Sequence, residues 1–232
     1  MIGRAAVAIW CDVAFDVREE FNHWHAHEHM PERLGIPGFL RGSRWVAEQG
    51  AGYFILYEAR DEEAITSRAY LERLNNPTPW SRRMMPHHRN MVRGPCRVEA
   101  SYGAGLAHAL LTVRFSARRE KADALRAWLT EILAAMPARK GLVASALLHD
   151  IGAPPAAPTA EQRLRGGGDR APDWVVLVNG YSAETVAAVA ARELNDAELS
   201  AHGALPGGAA GLYRLAYVLA ASSYTERPEE AA

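Results

Sequence analysis

Cysteine is scarce: only Cys11 and Cys96 occur in 232 residues. Two thiols make neither a disulfide framework nor a four-thiolate zinc site. With no signal-peptide pattern at the start of the chain, they read as reduced cytoplasmic thiols. Long hydrophobic runs are missing, so no membrane partner is expected. A charge excess of one sign is missing too. Lys+Arg 26 against Asp+Glu 27 leaves a net charge of -1, which gives no case for nucleic acid or an anionic membrane surface. What is present is ordinary globular material, 49% hydrophobic and 23% charged, which excludes extensive disorder and fibrous classes. The length fits one large domain or two small ones.

The chain reads as a pattern written twice. Strand, helix, strand, strand, helix, strand run from Ala5 to Tyr102, and the same order runs from His108 to Ala221. This is the β-α-β-β-α-β order of ferredoxin-like units. Trp24 matches Trp128 and Gly38 matches Gly141. The expected halves are 1–104 and 105–232. Between Asp150 and Asp173 the second half carries a Gly/Pro-rich insertion, read first as a tolerated surface loop and in the alternative as a lid over a pocket. Ala numbers 12 in residues 1–104 and 31 in 105–232, and six of nine His lie in the first half. The first half therefore reads as the working copy and the second as scaffold. The expected class is α+β, two four-stranded sheets packing on each other within one chain. Edge strands are expected to remain, which leaves a homodimer open.

The chemistry concentrates on one helix. At ~100° per residue, Phe21, Trp24, His25 and Glu28 share a face, with His29 on its border. His23 and His27 point the other way. Pro31 is expected to end the helix near His29. The helix dipole then favours the imidazolium form of His29, the best general acid/base candidate in the chain. The alternative is a capping histidine that bonds only its own helix. On the first strand, alternation places Val7, Ile9, Cys11 and Val13 under the helices, and Trp10 and Asp12 on the face toward the second sheet. Asp12 needs a partner there, Arg44 or Arg41, either as a plain ion pair or around a polar substrate group.

The runs Trp10-Cys-Asp12, Glu20 to Leu34 (EFNHWHAHEHMPERL) and Ile36 to Arg41 (IPGFLR) resemble the dimeric α/β-barrel superfamily, most nearly its EthD-like branch and bacterial relatives. Their first repeat carries an aromatic-x-x-Glu-His-x-Pro-Glu-Arg pattern. Position 25 is His where such relatives often have an aromatic such as Tyr. The run Pro79 to His87 is similar as well, and through that resemblance Trp80 and His87 are expected at a pocket rim. The superfamily includes cofactor-free isomerases, cyclases, dehydratases, oxygenases and haem enzymes.

The resemblance implies a cofactor-independent isomerase, lyase or cyclase acting on a small carbonyl or phenolic substrate. His29 would be the acid/base, Glu28 or Asp12 its orienting carboxylate, and Arg44 or Arg41 the oxyanion partner, with Trp10, His25, Trp80 and His87 around the ligand. Two alternatives stand beside it. One is a haem-binding or oxygenase protein. The other is a non-catalytic ligand-binding or assembly protein, marked by Trp10 filling the space between the sheets and no cavity beside His29. No resident cofactor is expected. The i, i+4 spacing of His25 and His29, with Glu28, Glu32 or His87 as third ligand, leaves a divalent metal as the rival to that expectation.

Overall fold

The computed structural model describes residues 1–152, 157–166 and 170–221. Parts of the insertion, Pro154 and Pro155 among them, and the C-terminal residues 222–232 lie outside the described residues. The first half supplies β1 (Ala5–Val13), α1 (Arg18–Trp24), α2 (Met30–Leu34), β2 (Phe39–Ala47), β3 (Gly52–Ala59), α3 (Glu62–Thr66), α4 (Arg68–Asn75), α5 (Pro79–Met84) and β4 (His88–Tyr102). The second supplies β5 (Ala109–Phe115), α6 (Ala122–Ala135), β6 (Leu142–Asp150), α7 (Ala160–Leu164), β7 (Trp174–Gly180), α8 (Ala183–Arg192), α9 (Asp196–Ala201) and β8 (Ala209–Ala220).

The eight strands close into one antiparallel barrel in the order β1-β3-β2-β8-β5-β7-β6-β4. Each repeat contributes a four-stranded sheet, and the β2–β8 and β4–β6 pairings join them. Closure overturns the expected free edges. Every one of these strands has two neighbours, so none offers a bare ladder to another chain.

Alternation along β1 sorts its side chains as read from the sequence. Ala5, Val7, Cys11 and Val13 join Phe21, Trp24 and Met30 in a core under the helices. Ala6, Ala8 and Trp10 point into the barrel with Trp45, Phe54, Leu110, Leu148 and Val175. Trp10 Nε1 donates to Thr112 Oγ1 at 3.0 Å, which ties β1 of one repeat to β5 of the other. The barrel interior is thus a packed core. Gly38 and Gly141, the paired anchors of the repeat, have φ of +92° and +96°. Both need the left-handed region, which glycine enters without the penalty of a Cβ.

Three helical expectations change. The second helix expected in the first half is broken into α3 and α4 at Ser67, whose ψ of 154° is extended and whose hydroxyl accepts from Tyr70 N to cap α4. α5 and α9 are additional, capped by Thr78 and Asn195. The first helix does not end at His29. One π-helical turn, His25–His29, connects α1 to α2. The wide turn accommodates Pro31, which has no N–H and would crowd an ordinary α turn. The Ala26 carbonyl, whose i+5 partner would be the Pro31 nitrogen, accepts instead from the Tyr217 hydroxyl of β8 at 3.4 Å.

Candidate active site

Between the first helical layer and the outer face of the β1–β3 sheet lies a cavity of about 30 Å³. Its wall holds three imidazoles, those of His25, His29 and His88. Tyr57, Tyr70, Arg33 and Arg93 add polar groups, and Ile9, Ile55 and Leu74 supply apolar surface. The π turn places both His25 and His29 inward, 1% and 8% exposed. Trp24 lies against the His29 ring at a centroid distance of 4.4 Å, and the His25 ring sits 5.7 Å from it.

The three histidines are neutral. Burial, then the nearby Arg44, His88 and Arg33, push His25 well below the ordinary imidazole range. Burial, then Arg33, do the same to His29. His88 falls to about 4, through burial first and Arg165 second. The imidazolium expected for His29 is therefore corrected. The helix continues past it to Leu34, so no exposed C-terminal dipole end faces the ring, and burial decides its charge.

Their hydrogen bonds set what each nitrogen presents. Tyr57 stays protonated, because burial pushes its phenol up. Its hydroxyl lies 3.2 Å from His25 Nε2 and pairs with it in either tautomer: it donates when the ring proton is on Nδ1 and accepts when that proton is on Nε2. His88 Nδ1 lies 3.2 Å from the carbonyls of Met84 and Met85, so it carries the proton and Nε2 keeps a lone pair. The Nδ1 atoms of His25 and His29 are buried and without a partner among the described residues. A buried polar atom left unpaired costs ~1–3 kcal/mol. Both atoms belong to side chains of one cavity wall.

α7, which belongs to the insertion, closes the cavity. Thr159 and Gln162 form a reciprocal capping box at its start. Glu161, 4% exposed, pairs with Arg33, which is 2% exposed. Burial works against the Arg33 charge, and Glu161 and Glu32 more than offset it. Arg165 lies 3.7 Å from the other Glu161 oxygen, and Ala160 N donates to Asn75 Oδ1 at 3.1 Å. Part of the insertion thus packs against the first repeat over this cavity.

Several sequence candidates stand elsewhere. The Glu28 carboxylate accepts from Thr78 Oγ1 at 2.5 Å and from Trp24 Nε1 at 3.2 Å. It anchors α5 instead of orienting His29. Asp12 accepts from Asn90 Nδ2 at 2.7 Å near a barrel end, so neither expected arginine is its partner. Arg41 pairs with Glu58 at 2.6 Å. Arg44 lies near His25, donates to the Asn22 carbonyl at 3.0 Å and sits 5.5 Å from the Tyr217 ring centroid, outside the cavity wall. Trp10 is in the barrel core. Trp80 Nε1 donates to Glu20 at 2.6 Å on the surface. His87 lies outside the cavity wall and His88 lies in it: His87 ends a 3-10 turn, Met85–His87, and His88 opens β4.

Sequence reading missed Tyr57, Tyr70, Arg93 and Glu161. The signal available for Glu161 was the Thr-x-x-Gln string at 159–162, a helix start inside the insertion. Wider clefts of about 350 and 670 Å³ lie beside the start of β8, and neither has a histidine in its wall.

Among the described residues no group of three His, Cys, Asp or Glu is placed to hold a metal ion. The cavity is an order of magnitude below the ~300–1,000 Å³ typical of ligand sites, so in this state it holds neither a macrocycle nor a smaller organic ligand. Among the described residues no helix is long and apolar enough to cross a membrane.

No protein-family model and no curated protein matches the chain. Solved structures do. An anthrone oxidase-like protein is 11% identical with a TM-score of 0.66, over 95% of this chain and 94% of that one. A monooxygenase candidate from Fusobacterium nucleatum is 10% identical with a TM-score of 0.59, over 94% and 95%. A chlorite dismutase from Candidatus Nitrospira defluvii, solved in complex with imidazole, is 12% identical with a TM-score of 0.55, over 94% and 93%. At such identities the likeness establishes the fold. The chain shares the fold of these proteins, an eight-stranded α/β barrel, with both halves of the barrel supplied by one polypeptide.

Proposed function

We propose that this protein is an enzyme that moves a proton on a small carbonyl or phenolic compound, in the cavity beneath α7 and without a resident cofactor. The observation that carries this reading is the pair of buried imidazoles, His25 and His29, that lie in one cavity wall and each keep a nitrogen without a partner among the described residues. A neutral imidazole accepts a proton without first losing one. His29 is the base: its ring takes a proton from an acidic C–H or O–H of the substrate, and the electron pair left behind moves onto the carbonyl or phenolic oxygen. In the tautomer whose Nε2 accepts from Tyr57, the Nδ1–H of His25 donates to the oxygen as it gains charge. Return of the proton to another position completes an isomerisation, and departure of a leaving group completes an elimination.

A cavity of about 30 Å³ admits one or two waters and no substrate. Turnover therefore includes a movement of α7, and reclosure excludes bulk water from the anion. The packed barrel interior supports the non-catalytic alternative, whereas the cavity beside His29 speaks against it. A second catalytic reading, reaction of the same carbanion with dioxygen, draws support from the fold shared with an anthrone oxidase-like protein.

The test is a panel of small carbonyl and phenolic compounds in D2O, followed by proton NMR for catalysed exchange of carbon-bound hydrogen. His29→Ala lowers the rate ~10²–10⁴-fold, the usual worth of a general base, with the fold retained. An unchanged rate removes His29 from the chemistry. Oxygen uptake during turnover selects the second catalytic reading.

A further inference from the structure

The closed cavity is not neutral ground. Its wall carries three guanidinium groups, Arg33, Arg93 and Arg165, against one carboxylate, Glu161. Arg93 is committed in part to the Tyr70 hydroxyl at 2.5 Å. Arg33 has one terminal nitrogen on Glu32 at 3.3 Å and the other on Glu161. Glu32 stays with Arg33 whatever α7 does, since it is the preceding residue of α2. Glu161 does not. It sits on a helix of five residues, and it leaves the cavity when that helix moves.

Opening therefore has a specific chemical consequence. It uncovers Arg33 Nη2, which holds one Glu161 oxygen in the closed state, while Nη1 stays on Glu32. A guanidinium in a buried setting is costly to leave short of a carboxylate. A carboxylate oxygen of a ligand replaces the Glu161 oxygen on that nitrogen with the same charge and the same charge-assisted hydrogen bond.

We infer that Glu161 occupies a carboxylate subsite on Arg33, and that the ligand of this cavity carries a carboxylate of its own that exchanges with it. The inference rests on the cavity being the substrate site, as proposed above, and it names the substrate class: a small carbonyl or phenolic acid. The lid is then also a competitor. Glu161 is tethered beside Arg33 at high effective concentration, so the apparent affinity for the ligand is its intrinsic affinity reduced by the fraction of molecules in which Glu161 has withdrawn. The arrangement keeps Arg33 paired in both states and gives the lid a reason to open only for an anion.

Two probes of one shape separate charge from simple access: benzoate, which has the carboxylate, and benzyl alcohol, which lacks it. Isothermal titration calorimetry on the full chain compares wild type, Glu161→Gln, and Glu161→Gln combined with Arg33→Gln. Glu161→Gln tightens benzoate ~10-fold or more and leaves benzyl alcohol unchanged. Adding Arg33→Gln abolishes the benzoate gain. Glu161→Asp, a second variant that keeps the charge and shortens the reach, gives an intermediate gain and covers the case of a misfolded Gln variant. Equal gains for both probes, or no gain for benzoate, overturn the subsite. A benzoate gain without His29-dependent exchange leaves the subsite standing and removes the reaction. Exchange activity without a benzoate gain does the reverse.

Discussion

Arg33 and Glu161 lie 128 residues apart in the chain and form one buried ion pair that joins the first repeat to the insertion of the second. Breaking a buried pair at one end ordinarily costs ~3–5 kcal/mol, because the remaining charge is stranded. Here the stranded group has a way out. α7 is short, and its swing into water rehydrates Glu161 without disturbing the barrel. Arg33→Met is thus expected to open α7 locally and leave the global fold intact. Amide hydrogen exchange reads this directly: Ala160 to Leu164 lose protection while β1 and β3 keep theirs. Uniform loss across the sheet, or no loss in α7, contradicts it.

Acid should destabilise the protein earlier than its carboxylates alone would dictate. His25, His29 and His88 all bind protons more weakly in the folded chain than their ordinary value of 6.5, through burial first and neighbouring charge second. The unfolded chain takes up protons first as pH falls. The stability these groups contribute is complete above about pH 6.5 and declines from there toward about 4, where His88 itself titrates in the fold. Three such groups give a slope approaching ~4 kcal/mol per pH unit within that window. Urea midpoints measured from pH 7.5 to 4.5 test the slope, and a flat profile refutes it.

Trp10 belongs to the barrel core and not to the site. Trp10→Ala removes a ring that is 4% exposed, packed 4.8 Å from Phe54 and bonded to Thr112. The expected loss is ~3–5 kcal/mol of stability, read by denaturant unfolding. Exchange activity per folded molecule stays at the wild-type level. A selective loss of activity at full stability would place the ligand inside the barrel.

Adjacent histidines should behave differently. His88→Gln removes the lone pair that faces the cavity and one partner of the Met84 and Met85 carbonyls, so it lowers exchange activity and stability together. His87→Gln, half-buried outside the cavity wall, leaves both unchanged. Parallel kinetics and thermal melts of the two variants decide the point.

The repeat was legible because its marks are backbone requirements. A glycine at positive φ is needed at both 38 and 141, and the residues between them keep the same order of elements. The inward set on β1 was legible from alternation alone. The site was legible in part. Ordinary helical geometry brings His25 and His29 to the cored face, but the π turn that buries both, and so neutralises them, is a response to Pro31 that a wheel drawn at fixed spacing does not contain. His88 in place of His87 depends on where β4 begins, a matter of one residue. Glu161 comes from a distant insertion, and only the tertiary fold brings it to Arg33. The polar candidates that moved elsewhere, Glu28 and Asp12, found nearer partners in Thr78 and Asn90.

Ligand binding beneath α7, among three neutral imidazoles, is read by a histidine side-chain nitrogen–proton NMR titration with a compound active in the exchange assay. Binding there shifts His25, His29 and His88 and leaves His149 and His202 of the second repeat unmoved. Shifts confined to His149, His202 or the surface histidines 23 and 27 would contradict it.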